Sequence, residues 1–399
     1  MPCDLGIGFS RETDSMTAAQ QAVKQAKKKI GEGPIDLVLV LHTPQYVPKE
    51  FLSYLCDSVD RTRIIGCSTT ALILSEGMEQ RGIAVMALRS DNIRFEIGHM
   101  SHLHFQNIVE AGQKMAADCI TGFGTQFRKM FLYFVNGMNP SLPALIQGFK
   151  DQLGPAFPIY GAGSSDDLSF KKSYQIYQDK CFSDGATGVI LGGSPRSGIS
   201  IKHGFHPLGK PRTIDAVDEK DNHIIRTIDG KPAVHLFSEY FEHEAASLAN
   251  YRLGMLNVRY PLGIIPPDEK EYLIRNVTNI LDDGSIVCQD NIVAGSRVHL
   301  MLGGKESCLE ATKEAAMEVK AQLTGKEPEF ILVFESLLRY QLLKRTLKEE
   351  LAIIKKVLGE QVPLFGMFSM NEIHTPRRYF QETATTSIQN GAVMLLAIH

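Results

Sequence analysis

One strand ending occurs three times in this chain of 399 residues. At Gly66, Gly161 and Gly366 an apolar, β-rich run stops at a glycine that small or hydroxyl-bearing residues follow within two or three positions. A glycine at the end of a strand has no Cβ, so another segment of backbone or a ligand can approach it closely. The pattern predicts structural modules in series, and it predicts that the three strand ends contribute to one shared site.

The segments around Gly66 and Gly161 alternate between β-rich runs and runs with helical periodicity, in the same order. Around Gly66 we predict strand 5–9, helix 17–29, strand 37–42, helix 49–59, strand 63–67 and strand 82–88. Around Gly161 we predict strand 94–99, helix 108–120, strand 130–135, helix 141–152, strand 158–163 and strand 188–192. The two segments are therefore interpreted as copies of one module.

The third strand ending lies about twice as far from the second as the second lies from the first, which predicts an insert about one module long. We place this β-rich insert at 196 to about 292 and expect a hairpin that turns at Asp283 and Gly284. The third module then covers about 293–399. Its predicted elements are strand 297–302, helix 307–323, strand 329–335, helix 340–358, strand 363–368 and strand 392–398.

A stretch with linker composition at 193–198 follows the second module. We therefore expect two domains, 1–195 and 196–399. The predicted fold class is α/β with mixed α+β character: repeated β-α-β-α-β-β modules form two domains whose mixed sheets are covered by helices.

Composition restricts the class of protein. Hydrophobic residues make up 44% of the chain and charged residues 22%, which is typical of a soluble globular protein. The apolar runs are much shorter than the roughly 20 residues that a membrane-spanning helix needs. The first residues have no basic segment followed by an apolar one, so no secretory signal is predicted. We expect a cytoplasmic protein without a membrane partner.

Cofactors and nucleic acid are not predicted either. The seven cysteines include no C-x-x-C motif, which indicates reduced thiols without a disulfide framework or a structural zinc site. The net charge is −3, and the basic run 24–29 has no aromatic residues among its charges, so no nucleic-acid partner is expected. Some histidines have the right side chain for a metal but not a diagnostic spacing: His99, His102, His104, His203 and His206.

Cys67 is a candidate nucleophile, because a thiol at a strand end near helix N-termini can have a lowered pKa. The alternative is a small, packed side chain. Ala162 stands at the equivalent position of the second module, which favours the packed side chain.

Glu372 and His374 lie two residues apart in a segment predicted to be extended, so their side chains share a face. They could form an acid–base pair or bind an ammonium group. A salt bridge to Arg377 or Arg378 is the alternative. Asp166 and Asp167, after the second strand ending, are interpreted as a helix or turn cap.

Several short motifs together resemble the FIST sensory family in its stand-alone bacterial form. In the N-terminal half they are 65–69, 161–163 and 182–186, and in the C-terminal half they are 229–233, 260–264, 274–277 and 362–366. The sequence departs from the family pattern at 71–73, where the family has Gly-Glu-Ile, at Asn371, where it has glycine, and at Ser336, where it has a cysteine, although Arg339 of that last motif is kept. The resemblance covers nearly the whole chain and implies an N-terminal and a C-terminal FIST domain.

The resemblance also implies a function. A FIST protein is expected to bind a small molecule, proposed to be amino-acid-like, and to pass the signal to an output domain. Because the two family domains would take up this chain, we expect the output to be a separate partner protein. We place the pocket between the two halves and build it from the three strand ends. Its expected lining is Gly66, Cys67, Ser68, Thr69, Gly161, Gly163, Ser164, Ser165, Gly366, Ser369 and Asn371.

An amino-acid-like ligand needs a cation for its carboxylate and an acceptor for its ammonium group, and charge-assisted hydrogen bonds of this kind are strong. Arg275 or Arg339 is the candidate cation, and Glu372 is the candidate acceptor. Two other functions stay open. One is a hydrolase in which Cys67 or a strand-end serine is the nucleophile, and the other is an interaction scaffold without a small ligand.

Overall fold

The computed structural model describes residues 3–60, 62–103, 107–139, 141–241, 259–267, 271–343, 346–375 and 386–399. Residues 4–89 are named module 1 and residues 93–193 module 2. The elements of module 1 are β1 (Asp4–Ser10), α1 (Ser15–Ile30), β2 (Leu37–His42), α2 (Pro48–Ser58), β3 (Arg63–Ser68), β4 (Leu72–Leu74), β5 (Gly77–Glu79) and β6 (Ile83–Arg89). Those of module 2 are β7 (Ile93–Ser101), α3 (Ile108–Phe123), β8 (Arg128–Asn136), α4 (Leu142–Leu153), β9 (Ile159–Ser164), β10 (Gln175–Tyr177), β11 (Lys180–Phe182) and β12 (Gly185–Gly193).

Module 3 begins with β13 (Ser197–Lys202) and is then interrupted by the insert. The elements of the insert are β14 (Phe205–Val217), β15 (Ile224–Ile228), β16 (Lys231–Pro232), α5 (His235–Ser238), β17 (Leu262–Ile265), β18 (Leu273–Arg275), β19 (Val277–Ile280), β20 (Ile286–Cys288) and β21 (Arg297–Gly303). Module 3 resumes with α6 (Lys305–Gln322), β22 (Phe330–Ser336), α7 (Leu337–Leu343), α8 (Leu347–Leu358), β23 (Leu364–Ser369), β24 (Glu372–His374), β25 (Ser387–Gln389) and β26 (Val393–Ile398).

Local sequence determines where several helices begin. The carboxylate of Asp14 accepts a hydrogen bond from the Thr17 backbone N–H at 2.7 Å and so caps α1. Asn107 caps α3 in the same way. Pro48 occupies the first turn of α2, where a missing N–H costs nothing. The central strands β2, β22 and β23 are buried at every position, which explains their unbroken apolar sequences.

Among the described residues, each module contributes four strands to one sheet and a hairpin to another. Sheet 1 has the order β1-β6-β2-β3-β10-β11, sheet 2 the order β7-β12-β8-β9-β24-β25 and sheet 3 the order β13-β26-β22-β23-β4-β5. In each sheet the third and fourth strands are parallel and the other neighbours are antiparallel. Module 2 thus completes sheet 1, module 3 completes sheet 2, and module 1 completes sheet 3.

The inner faces of the three sheets pack around one hydrophobic core, which includes Leu39 of sheet 1, Leu132 of sheet 2 and Phe334 of sheet 3. Helices cover the outer faces: α1 and α2 lie on sheet 1, α3 and α4 on sheet 2, and α6 to α8 on sheet 3. The predicted fold class, with mixed sheets covered by helices, is confirmed. Within the described ranges, no helix has the length and apolar character needed to cross a membrane.

The insert forms a fourth sheet with the order β18-β17-β21-β14-β15-β20-β19, and β16 pairs with β15. It has a hydrophobic core of its own that includes Ile214, Ile225 and Val298. The predicted hairpin turn before β20 is confirmed, because Gly284 has a positive φ of 82° and its N–H donates to Leu281 O at 2.9 Å.

The strand topology corrects two predictions. Arg297–Gly303 is not the first strand of the third module, since it pairs with β14 and β17 inside the insert. Ser197–Lys202 takes that position instead, by pairing with β26. The prediction of one helix over 340–358 is also corrected, because α7 begins at Leu337 and α8 at Leu347. The division of the chain into two domains stays a prediction.

Candidate functional site

The ends of β3, β9 and β23 lie together and are hydrogen-bonded to one another. Ser165 donates its N–H to Ser68 O at 3.2 Å and its hydroxyl to Phe368 O at 2.7 Å. The Thr69 hydroxyl accepts a hydrogen bond from the Phe368 N–H at 3.0 Å. The four residues are almost completely buried. The hydroxyl groups of Ser68, Thr69 and Ser165 therefore join the three modules to one another.

The glycines at these strand ends are required by packing within the protein. A Cβ on Gly66 would lie 1.9 Å from Val40 O, and one on Gly366 would be 2.1 Å from a carbonyl of β22. A Cβ on Gly161 would lie 2.6 Å from the ring of Tyr133. The close approach that the glycines predict is made by a neighbouring strand or side chain of the same chain.

The residues after these glycines point into the central core. Cys67, Ala162 and Met367 are fully buried there, and the Cys67 sulfur lies 3.5 Å from the Met367 sulfur. Burial raises the pKa of the Cys67 thiol well above its ordinary value. The reactive form of cysteine is the thiolate, so this environment gives no support to Cys67 as a nucleophile.

Ser164 and Gly163 serve other contacts of the second strand end. The Ser164 hydroxyl donates to Val135 O at 2.9 Å and accepts from the Gln175 side-chain amide at 2.7 Å. Gly163 makes room for Asn371, whose Oδ1 would be 2.1 Å from a Cβ at that position. These residues hold β9 against its neighbours. Within the described ranges, the Asn371 Oδ1 atom is buried and has no hydrogen-bond partner.

Asp166 is a turn cap, as predicted. Its carboxylate accepts hydrogen bonds from the Phe170 and Lys171 backbone N–H groups at 3.1 and 2.7 Å, and from the Ser169 hydroxyl at 2.8 Å. The carboxylate is thus occupied by the turn that follows it.

Arg339 is held in a buried ion triad. Its Nε donates to Glu335 at 2.6 Å, and its Nη2 donates to Glu350 at 2.5 Å and to the Thr312 hydroxyl at 2.7 Å. Its Nη1 donates to His203 O at 3.0 Å. The arginine side chain is fully buried. Its charge and donors are already used, so Arg339 is not a free cation for a ligand carboxylate, contrary to one of the two assignments expected from the sequence.

Arg275 differs from Arg339 in that it has no such carboxylate partner among the described residues. It is 5% exposed, and its Nη1 donates to Ile274 O at 3.0 Å and Ile388 O at 2.8 Å. Its Nε is buried without a hydrogen-bond partner in the part of the chain that the structure describes. Burial lowers the pKa of Arg275, although the nearby Asp290 carboxylate acts in the opposite direction.

Glu372 is fully buried in β24. One carboxyl oxygen accepts from the Ser369 hydroxyl at 2.7 Å, and the other accepts from the Ala392 N–H at 3.2 Å and the Gly391 N–H at 3.4 Å. Burial raises the pKa of Glu372 to about 8, although these hydrogen bonds act in the opposite direction. This shift favours the neutral carboxylic acid at pH 7, and a cation placed beside it would favour the ionised form.

Asn390 links these two regions. Its side-chain amide donates to the Asp290 carboxylate at 2.7 Å, and its backbone N–H donates to Ile274 O at 3.3 Å. Its Oδ1 is another buried atom with no partner among the residues described. Five residues where the insert meets module 3 are named the seam cluster: Arg275, Asp290, Ser369, Glu372 and Asn390.

The structure thus separates the residues expected to form one pocket. Ser369 and Glu372 are linked through the Gly391 N–H to the segment of Asn390, which bonds to the residue before Arg275, whereas Ser68, Thr69 and Ser165 form the contact between strand ends. His374 stacks against Tyr160 with ring centroids 5.9 Å apart. Three residues named in the sequence analysis lie outside the described residues: His104, Arg377 and Arg378.

Family models match most of the chain. A FIST N domain model matches residues 36–231, and a FIST C domain model matches residues 233–375. The chain belongs to the FIST family. FIST domains are sensory domains of signal transduction, and the resemblance described from the sequence motifs is confirmed.

Individual relatives are distant. The uncharacterized protein MJ1623 of Methanocaldococcus jannaschii is 21% identical over 303 residues, which cover 70% of this chain and 56% of that protein. The FIST chain thus spans little more than half of this relative's length. Among solved structures, PurLQS from Thermotoga maritima matches with 8% identity and a TM-score of 0.24, over 100% of this chain and 72% of that one. A TM-score this low says nothing about fold or function.

Two residues of the seam cluster in this FIST protein were not predicted from the sequence. Asp290 follows β20, and Asn390 precedes the final strand within an Asn-Gly pair. The Asn-Gly pair is a turn signal and could have drawn attention to Asn390. Nothing local distinguishes Asp290, because its position beside Asn390 depends on contacts about 100 residues apart in sequence.

Proposed function

We propose that this FIST protein is a non-catalytic sensor that binds a small, amino-acid-like ligand at the seam cluster and signals through a separate partner protein. The observation that supports it best is that two buried polar atoms lack a partner among the described residues: Nε of Arg275, and Oδ1 of Asn390, whose backbone N–H donates to the residue before Arg275. Buried polar atoms rarely lack a hydrogen bond in native proteins, so such atoms require an explanation. A polar ligand would supply the missing partners.

The chemistry of the cluster suits a zwitterion. A ligand carboxylate would accept from Arg275, and a ligand ammonium group would donate to Asn390 Oδ1 and to Glu372. Arrival of the ammonium group would favour the ionised form of Glu372, so binding would release a proton from this residue. The orienting hydroxyl would be that of Ser369, which is 2.7 Å from the carboxyl group of Glu372.

The position of the cluster suits signalling. Glu372 lies in β24, which belongs to module 3 and pairs with β9 of module 2 at Ala162. Arg275 lies in β18 of the insert and bonds to the backbone of β25. A ligand at the cluster would therefore contact both the insert and the β24–β25 hairpin, which joins modules 2 and 3. Binding could shift the insert relative to this hairpin.

A thermal-shift screen tests the proposal. The twenty amino acids and related metabolites are added to the wild type, to Arg275→Gln and to Arg297→Gln, whose arginine is exposed and serves as the control. At least one compound is expected to raise the melting temperature of the wild type and the control but not of Arg275→Gln. A ligand at about 100 times its Kd would add about 2.7 kcal/mol of stability. If no compound shifts the wild type, or if Arg275→Gln shifts equally, the proposal is wrong.

A further inference from the structure

The three sheets have the same strand order, so corresponding edge strands can be compared. One edge of each sheet is the first strand of a module, namely β1, β7 or β13. The other edge is the second strand of a donated hairpin, namely β11, β25 or β5. A sheet edge presents unpaired backbone N–H and C=O groups, which natural proteins usually cover.

Two of the regions where such edges meet are filled within the described parts of the protein. Between β7 and β11, the ring of His99 stacks on Tyr177 of β10 with centroids 4.0 Å apart and lies close to Phe182 of β11. The edge strand β25 is covered by β18 of the insert: Asn390 donates its backbone N–H to Ile274 O, and Arg275 donates to Ile388 O. An extended segment of the chain therefore occupies the free edge of this hairpin.

The corresponding region at β1 and β5 is an open groove with a volume of about 640 Å³. Apolar side chains from β1 and β4 line it, and those from β1 pack against the central core: Leu5, Ile7, Phe9 and Leu74. Its charged residues balance in sign, with Arg11, Lys29 and Lys355 against Glu76, Glu79 and Glu360. This space is named the β1–β5 groove.

Part of the β1 backbone, at Leu5 and Ile7, is available for pairing in this groove. The Phe9 N–H turns away from β6 and donates to the Gln25 side chain at 3.1 Å. Leu88 of β6 lies opposite Leu5, and its carbonyl points away from β1, where it accepts a hydrogen bond from the Asp36 N–H at 2.8 Å. The alternation of an antiparallel ladder then directs the N–H groups of Leu5 and Ile7 away from β6. Within the described ranges, neither N–H group donates to a backbone group outside the β1–β6 ladder.

We propose that the β1–β5 groove binds an extended peptide segment of a partner protein, which pairs with the β1 edge and places alternate apolar side chains against Leu5, Ile7 and Phe9. Strand addition of this type takes affinity from main-chain hydrogen bonds and specificity from alternate side chains. The proposal extends the proposed function by giving the signalling partner a place to bind. The balanced charge of the groove fits a segment of low net charge.

A display library of random nonapeptides, selected against the full-length chain, tests this docking surface. Selected peptides should have apolar residues at alternate positions and should bind Ile7→Lys at least tenfold more weakly than the wild type. The matched control is Phe127→Lys, which changes an exposed apolar residue of module 2. This variant should bind the selected peptides with the same affinity as the wild type. Circular dichroism checks that both variants are folded.

Backbone methylation of a selected peptide separates strand pairing from simple apolar contact, and it does not depend on a variant that could unfold. N-methyl groups on one set of alternate residues should weaken binding at least tenfold, and those on the other set should have little effect. The docking proposal is overturned if no peptide is selected, if Ile7→Lys binds equally well, or if both sets of methyl groups act alike. Failure of the thermal-shift screen would leave these peptide results unchanged, so the two proposals fail separately.

Discussion

The Glu372→Gln substitution should remove a pH dependence that this buried carboxyl group imposes on stability. Burial raises the pKa of Glu372 from 4.5 to about 8. A group whose pKa is raised on folding stabilises the folded state fully below its unfolded pKa, and this contribution is lost as the pH rises through the folded pKa. Relative to the variant, the wild type is therefore expected to lose stability between about pH 4.5 and pH 8.

The difference between the two pKa values corresponds to about 5 kcal/mol in total, since one pKa unit is about 1.4 kcal/mol. Between pH 5.5 and pH 8.5 the expected loss is about 3 kcal/mol. Glutamine resembles the neutral acid in shape. Its oxygen can accept from the Ala392 N–H, and its amide can donate to the Ser369 hydroxyl, which has Glu335 O as its own acceptor at 3.3 Å.

Urea unfolding at pH 5.5, 7.0 and 8.5 measures this effect in the wild type and in Glu372→Gln. The exposed Glu314→Gln is the control and should follow the wild type at every pH. The stability of Glu372→Gln relative to the wild type should rise by about 3 kcal/mol across this range. A difference that stays constant within about 0.5 kcal/mol would show that Glu372 is ionised at all three pH values, and the reasoning from burial would be refuted.

Three further predictions follow from other parts of the structure. Arg339→Met should lower the free energy of unfolding, measured with urea, by about 3–5 kcal/mol, because two glutamates would be left buried without their cation. A loss below about 1 kcal/mol would contradict the ion triad. Iodoacetamide at pH 8 should modify the half-buried Cys181 before the fully buried Cys67, as measured by mass spectrometry of peptides, and equal rates would contradict the packed thiol. The fragment 1–195 lacks β24 and β25 of sheet 2 and the four module 3 strands of sheet 3, so its amide spectrum should be poorly dispersed. A well-dispersed monomer would contradict the dependence on exchanged hairpins.

Much of the fold could be predicted from the sequence because its elements have strong local signals. The continuous apolar runs of β2 and β22 indicate buried strands, and the glycines at 66, 161 and 366 mark where neighbouring backbones meet. The exchanged hairpins were not predicted. Their strands, such as Leu72–Leu74 and Gly77–Glu79, are three residues long, and their partners in module 3 lie nearly 300 residues away in sequence.

The candidate site was partly predictable for a similar reason. Glu372 and Ser369 follow a recognisable strand end, so local sequence draws attention to them. The sequence around Arg275 and Arg339 does not show which arginine is held in an ion triad, because Glu350 contacts Arg339 from another helix. The spacing of Glu335 and Arg339, four residues apart, was the available signal for a structural ion pair.

The most direct test of the sensor proposal is a crystal structure of the protein grown with the amino acid that gives the largest thermal shift. We expect the ligand at the seam cluster, with a carboxylate oxygen about 2.9 Å from Arg275 Nε and the ammonium group beside Glu372. A ligand bound elsewhere, for example in the β1–β5 groove, or ordered water alone beside Arg275, would contradict the central claim.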